Sequence, residues 1–395
     1  MRTWQSRLDD VLSAVVRNGD LPYAVAAVGT SARTLWSGAA GDRVPGEPAA
    51  MDTVFRVMSM SKGVGATAAA ILADRGALDW DAPVDTVLPQ FAELQVLEGF
   101  DSAGCPIVRD PASRATIRQL ATHTSGLVYE FWDASINTYL ELTATPPTAS
   151  GMRAALRCPL AFDPGRRWQY GCGPDWLGLV VAEVDGRSID RVCHDEIFAP
   201  LGMADTEFEL RADQAPRLGE VSERTPDGSL APTSLHLGPP PRPEFYGMGH
   251  ALYSTVPDYL RFLRMWLGYG EVDGVRILNR DTAIDFLRNH IGALRLRTYP
   301  TLLPVATEDL DFRLGIEMSQ SLGFARTEES LPGRRSAGAQ TWAGVLNTHF
   351  WIDPRQDIAA VTMTQLLPFL DRRALGAVDS FERAAYSERH EMGRP

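Results

Sequence analysis

Apolar residues open the chain at helical spacing: Trp4, Leu8, Val11, Leu12 and Val15 fall on one stripe, which predicts an amphipathic helix over 4–16. Two short β-like runs, 23–28 and 34–39, flank a Ser-Ala-Arg turn and predict a hairpin. From Ser59 the pattern turns helical, with helices expected from 59 to about 75 and over 117–122, 174–184, 189–198, 256–267 and 281–289. The polar or proline-dense stretches 143–150 and 238–243 read as loops over a cleft. Strand-like runs return at 312–318, 340–352 and 358–364, and a helix over 372–386 closes the pattern.

Both chain ends therefore supply strands with flanking helices, and the middle supplies helices. Burying each apolar face in a layer gives an α+β fold. One antiparallel sheet is built from residues 1–55 and 311–395, and a mostly helical domain, 56–310, is inserted between them. The seam between the two is the natural cleft. No internal repeat interrupts this plan.

Composition narrows the partners. A 45% hydrophobic and 22% charged chain is that of an ordinary globular protein, and a net charge of -12 argues against nucleic-acid binding or attraction to anionic membranes. The first residues carry charges without an apolar run and no stretch reaches the length of a membrane span, so a cytoplasmic enzyme, monomeric or homodimeric, is expected. Cys105, Cys158, Cys172 and Cys193 lack Cys-x-x-Cys spacing and fit reduced thiols. His and carboxylates do not cluster at ligand spacing, so no metal and no cofactor is expected.

The candidate chemistry centres on Phe55-Arg56-Val57-Met58-Ser59-Met60-Ser61-Lys62 and the small-residue run behind it. Ser59 and Lys62, three apart in the first turn of an expected helix, lie on one face, so an amine can sit beside the hydroxyl. A serine needs such a base, and donors aimed at the developing oxyanion, to act as a nucleophile. Tyr170, in the Gly-broken loop before Pro174, could shuttle the proton; a core tyrosine is the plainer reading. Small residues flanking Trp342, in Ala337 to His349, suggest close approach of a backbone or a ligand, and the N–H of Val345 at the strand edge could pair with that of Ser59 as an oxyanion hole. Tyr129, Phe131 and Trp132 could line a pocket or simply pack their loop. Ser61 reads as a polar filler, and Asp175 and Trp176 as anchors of their helix. His123 and His349 invite a Ser-His-Asp reading, but no Gly-x-Ser-x-Gly elbow supports it.

In order, Ser59-x-x-Lys62, Leu120-Ala121-Thr122-His123-Thr124-Ser125-Gly126-Leu127, Phe162-x-Pro164-Gly165 with Tyr170, and Pro200-Leu201-Gly202-Met203 resemble the serine β-lactamase and penicillin-binding-protein superfamily. The resemblance is strongest to its class C-like members that act as family VIII carboxylesterases. It implies Ser59 as the acylated nucleophile, Lys62 and Tyr170 as the base system, and the N–H groups of Val345 and Ser59 as the oxyanion hole. Two departures stand out: Tyr170-Gly171-Cys172 in place of Tyr-x-Asn, and Trp342-Ala343-Gly344 in place of Lys-Thr-Gly. The first loses an amide that would hydrogen-bond an acylamide side chain, and the second a cation that would hold a substrate carboxylate. Both point to a neutral ester, with Trp342, Ala343, Gly344, Cys172 and Trp132 beside it. The segments 96–101, Tyr170-Gly171 and Asp175-Trp176 also resemble fungal statin side-chain acyltransferases.

The sequence thus predicts a serine carboxylesterase acting on short-chain or small hydrophobic esters through an acyl-enzyme. Acyl transfer to an alcohol or amine is the first alternative, weak β-lactamase or D-amino-acid peptidase activity the second. A catalytically inert binding protein of the same fold is the third.

Overall fold

In the computed structural model, which describes residues 3–235, 243–312 and 314–392, one sheet runs through the molecule. Its strands are β1 (Tyr23–Gly29), β2 (Thr34–Val44), β3 (Glu47–Pro48), β4 (Met318–Gln320), β5 (Ala325–Thr327), β6 (Gln340–Gly344), β7 (Thr348–Asp353) and β8 (Ile358–Met363). Their spatial order is β4-β5-β6-β7-β8-β1-β2-β3, with neighbours antiparallel. The helices that matter for the site and its support are α1 (Trp4–Arg17), α2 (Ser61–Asp74), α3 (Gly173–Asp185), α4 (Val256–Leu267) and α5 (Arg372–Met392). The protein has an α+β fold, its sheet drawn from both ends of the chain.

Every residue of β1 is buried because the two faces of the sheet are both covered. Side chains alternate across a strand. Ala24, Ala26 and Val28 join Trp351, Ile358 and Ala360 beneath the terminal helices, while Val25 and Ala27 join Phe350, Ile352 and Val361 against α4 and the helical lobe. The two terminal helices are tied together by the Trp4 indole N–H, which donates to the Ala384 carbonyl at 3.0 Å. The Arg335 guanidinium grips the Glu382 carboxylate of α5 through two bonds of 2.7 and 2.8 Å, both side chains almost fully buried.

Helix α2 is buried from residue 61 to 72, which explains its small residues: a helix enclosed on all sides has no polar face to present. A Cβ on Gly63 would come 2.6 Å from the Phe324 ring, and one on Gly65 would come 2.8 Å from Met248. Gly178 of α3 packs on the same methionine. Loss of a methylene's width at each point lets α2 lie at the centre of the lobe.

Some boundaries depart from the sequence pattern. The run 312–318 contributes only its last residue to a strand, β4. The run 340–352 is two strands, β6 and β7, reversed by a turn at 345–347 in which Asn347 takes φ +58°. Both halves are apolar, so hydrophobicity alone does not mark the turn. Helix 189–198 continues through a π-type turn to Leu201, and helix 281–289 is Arg280–Phe286. The strand Ala325–Thr327, the hairpin of Val96–Phe100 with Pro106–Arg109 and the helix Ala134–Thr143 have no counterpart in the predicted elements. Of the expected loop 238–243, residues 238–242 lie outside the described residues.

Removing one partner of a buried ion pair strands the other charge in the interior. Glu382→Gln is therefore expected to lower unfolding stability by about 3 kcal/mol, read from urea melts, with the activity of the folded fraction unchanged.

Candidate active site

The strand Phe55–Arg56 pairs with Tyr253–Ser254, and the Val57 N–H donates to the Leu252 carbonyl at 3.1 Å. The chain then enters a 3-10 turn, Met58–Met60, with Met58 at φ +48°, a region unfavourable for a side chain of its size. Ser59 thus sits in a tight turn ahead of α2 rather than in the helix's first turn as predicted. Ser61, expected to be a filler, is fully buried, and its hydroxyl accepts the Leu252 N–H at 3.1 Å. That bond pins the head of α2 to the segment before β-strand Tyr253–Ser254.

Lys62 in the first turn of α2 donates to Ser59 Oγ at 3.0 Å, to the Tyr129 hydroxyl at 3.0 Å and to the Gly249 carbonyl at 2.8 Å. The Tyr170 hydroxyl donates to Ser59 Oγ at 2.7 Å. Serine, lysine and the loop tyrosine, 111 positions apart along the chain at the extremes, therefore meet within hydrogen-bond range. The Lys62 amine also stands 4.8 Å from the Tyr170 ring centroid and 5.0 Å from that of Tyr129, within cation–π reach of both.

Tyr170 reaches the serine because Gly171 follows it. A Cβ on Gly171 would lie 2.2 Å from the Leu127 carbonyl oxygen, so only glycine lets the two segments run side by side, with the Tyr129 N–H bonded to the Tyr170 carbonyl at 3.2 Å. His123 accepts the Gly171 N–H on Nδ1 at 3.4 Å, stacks on Trp342 at 5.5 Å and meets the Tyr170 ring edge-on at 5.0 Å. It braces the phenol. His349 lies within the sheet opposite Ala343, so neither histidine bonds to the serine.

Around this cluster stands an aromatic wall. Trp132, Trp342, Phe312 and Tyr129 all lie within 6.0 Å, centroid to centroid, of the Tyr170 ring, and Phe131 stacks on Tyr129 at 5.7 Å. Trp342 and Trp132, expected next to substrate, are thus part of the enclosure of the phenol. Cys172 is placed differently: its thiol is buried and turned to the Val128 carbonyl at 3.9 Å. Tyr129 instead accepts a hydrogen bond from the Lys62 amine, a role the sequence spacing did not show. Ala343 is buried in the ladder, and Gly344 abuts backbone: a Cβ there would lie 2.4 Å from the Val57 carbonyl oxygen. The ladder ends at the Gly344–Thr348 pair, so half-buried Val345 begins the turn beside the serine's own turn rather than lying in the strand.

Burial sets the charges. Enclosure pulls the Lys62 ammonium down to about 7, with Asp175 opposing the fall. Burial pushes the Tyr170 phenol up, while its bond to Ser59 and the neighbouring Trp342 indole work against the rise. The Tyr129 phenol is also pushed up and the His123 imidazole down, both by burial first. At neutral pH the phenols and the imidazole are therefore uncharged, and the amine is the group that exchanges its proton. Among the described residues, no three His, Cys, Asp or Glu side chains gather to hold a metal ion, and no helix is long and apolar enough to cross a membrane.

The chain is similar to known proteins along most of its length. It is 29% identical over 351 residues to Monacolin J acid methylbutanoyltransferase of Aspergillus terreus, covering 86% of this chain and 84% of that one. It is 28% identical over 374 residues to Lovastatin esterase of Penicillium rubens, covering 91% and 92%. The unliganded structure of Simvastatin Synthase from Aspergillus terreus superposes with a TM-score of 0.84 at 25% identity, covering 98% of this chain and 99% of that one. The Beta-lactamase family model matches residues 8–383, and the chain belongs to that family of serine hydrolases and acyltransferases.

Proposed function

We propose that the protein is a serine carboxylesterase that cleaves neutral, small hydrophobic esters through an acyl-enzyme on Ser59. The observation that carries this reading is the pair of hydrogen bonds to Ser59 Oγ, from Lys62 at 3.0 Å and from Tyr170 at 2.7 Å. With the amine uncharged, its lone pair faces the serine hydroxyl. Ser59 Oγ attacks the ester carbonyl carbon, and its proton passes to the Lys62/Tyr170 pair. The N–H groups of Ser59 and Val345 receive the oxyanion. As the tetrahedral intermediate collapses, the C–O bond to the alcohol breaks and the pair returns the proton to the leaving oxygen. Water then repeats the sequence on the acyl carbon, and the acid leaves with Ser59 restored. The proton belongs to the coupled pair rather than to either residue alone.

Trp342 in the position where a cation would hold a carboxylate favours an uncharged substrate. Half-buried Phe131 and Phe312, backed by the buried rings of Tyr129, Trp132 and Trp342, offer apolar surface for the acyl or alcohol part. The same surface supports a second reading, transfer of the acyl group to an alcohol, because an apolar acceptor can outcompete water where it stacks. The similarity to both an esterase and a methylbutanoyltransferase is consistent with either fate. Four free thiols suit the cytoplasmic setting proposed for the enzyme.

Three outcomes test this. Ser59→Ala is expected to abolish both p-nitrophenyl butyrate hydrolysis and the mass adduct formed with a fluorophosphonate; an adduct on the variant would remove Ser59 as nucleophile. Because the base form of Lys62 is the uncharged one, kcat/KM for the ester should rise with pH through about 7 and be lost below it. An added alcohol partitions the acyl-enzyme: ester product in proportion to its molarity against water means hydrolase, and product far in excess of that ratio means transferase.

A further inference from the structure

Asp175 is buried in the first turn of α3, yet the base system as described makes no use of it. Its Oδ1 accepts the Gly249 N–H at 2.6 Å, and its Oδ2 is buried without a hydrogen-bond partner. The carbonyl of the same Gly249 takes the Lys62 amine at 2.8 Å. Gly249 is therefore held at both ends, by the carboxylate on one side and by the amine on the other.

The packing leaves no slack there. A Cβ on Gly249 would come 2.7 Å from the Tyr129 hydroxyl and 2.9 and 3.2 Å from the two Asp175 oxygens. A Cβ on Gly247 would lie 2.9 Å from Asp175 Oδ1 and 2.7 Å from His250 Cε1. The carboxylate, the Tyr129 hydroxyl and the His250 ring thus converge on one short glycine-containing segment, and His250 Nδ1 is itself buried without a partner. An unpaired carboxylate oxygen in such a place costs free energy unless its charge serves something.

We propose that Asp175 is the positioning residue of the base system: its carboxylate fixes Gly249 so that the carbonyl orients the Lys62 amine toward Ser59, and its negative charge balances the ammonium that forms each time Lys62 takes the serine proton. This rests on the acyl-enzyme reading above. The other titratable groups facing the amine are Ser59 and Tyr170 at the serine, Tyr129 and Cys172 on the flanking loops, and His123 and His250 from behind. Burial pushes the two phenols and the Cys172 thiol up and the two imidazoles down, with Asp175 opposing the fall at His250. Asp175 is the carboxylate whose charge acts most on Lys62, and in turn Lys62 and His250 oppose the effect of burial on Asp175.

The sign of the effect is fixed by electrostatics. A neighbouring negative charge favours the ammonium, so removing it lowers the proton affinity of Lys62 and leaves more of the amine uncharged at acid pH. The test is the second-order rate of Ser59 labelling by a fluorophosphonate, followed from pH 5 to pH 9 in the full chain. In Asp175→Asn, which keeps the shape and an acceptor for the Gly249 N–H, the acid limb should move down by about one pH unit, while the plateau rate falls at least several-fold. Asp175→Glu, which keeps the charge, should hold the limb where the wild type has it. A limb that stays put in Asp175→Asn, with the rate lowered uniformly, would overturn the proposal and leave Asp175 a structural residue. So would a limb that moves up. Should Asp175→Asn not fold, Asp175→Ser is measured in its place; if neither neutral variant folds while Asp175→Glu does, the carboxylate serves the fold alone and the proposal fails. Absence of labelling in the wild type would instead remove the acyl-enzyme reading, which separates the two failures.

Discussion

Holding one lysine amine dry beside a serine is the constraint the rest of this molecule answers to. An ammonium loses several kcal/mol of hydration when enclosed, so it must be fully hydrogen-bonded, faced by aromatic rings or relieved of its proton. Lys62 has all three: three acceptors, two phenol rings within 5.0 Å, and a proton affinity drawn down to about 7. Placing it there requires a helix buried all round, and that in turn requires the glycines and alanines of α2. The small-residue run is thus a consequence of the chemistry at its head.

Five separate stretches of chain supply the site, and each is secured by something outside it. The serine turn leans on Gly344 at the end of β6, where absence of a side chain lets the Val57 carbonyl approach. Tyr170 is brought alongside Tyr129 by Gly171 and braced by His123. Gly249 arrives from the segment before Tyr253–Ser254, which also donates its Leu252 N–H to the Ser61 hydroxyl. The first of these rests on the end of the sheet, and the others on loops and helices from the middle of the chain.

Periodicity revealed the terminal helix, the first hairpin, α2, α3 and α4 because each carries its own apolar stripe or small-residue face. It missed what long-range bonds decide. The turn between β6 and β7 is apolar on both sides and is marked by the left-handed Asn347, which no spacing announces. Ser59 leaves the helix because a bond from Val57 to Leu252 and the strained Met58 set the chain's entry. Ser59, Lys62 and Tyr170 were legible as a group from their motifs. Tyr129 was visible as an aromatic residue in a loop, but its bond to Lys62 spans 67 positions and Asp175's bond to Gly249 spans 74. Pairings at that range depend on packing, and packing is what a one-dimensional pattern does not carry.

Water and alcohol compete for the same acyl carbon with the same base, so the fate of the acyl group depends on which acceptor can stand over Ser59. A cation in the third motif would anchor an acid and orient a charged substrate. Trp342 replaces it with a ring stacked between His123 and Phe312, at 5.5 and 5.0 Å. Both faces of that ring are taken and it is almost fully buried, so it stiffens the wall around Tyr170 and presents no charge to a substrate. On the reading proposed above, the lack of a cation there leaves the acceptor to be chosen by fit and concentration rather than by charge. Under the acyl-enzyme reading proposed above, esterase and transferase are two outcomes of one geometry, separated by acceptor concentration and by how well that acceptor fits beside Ser59.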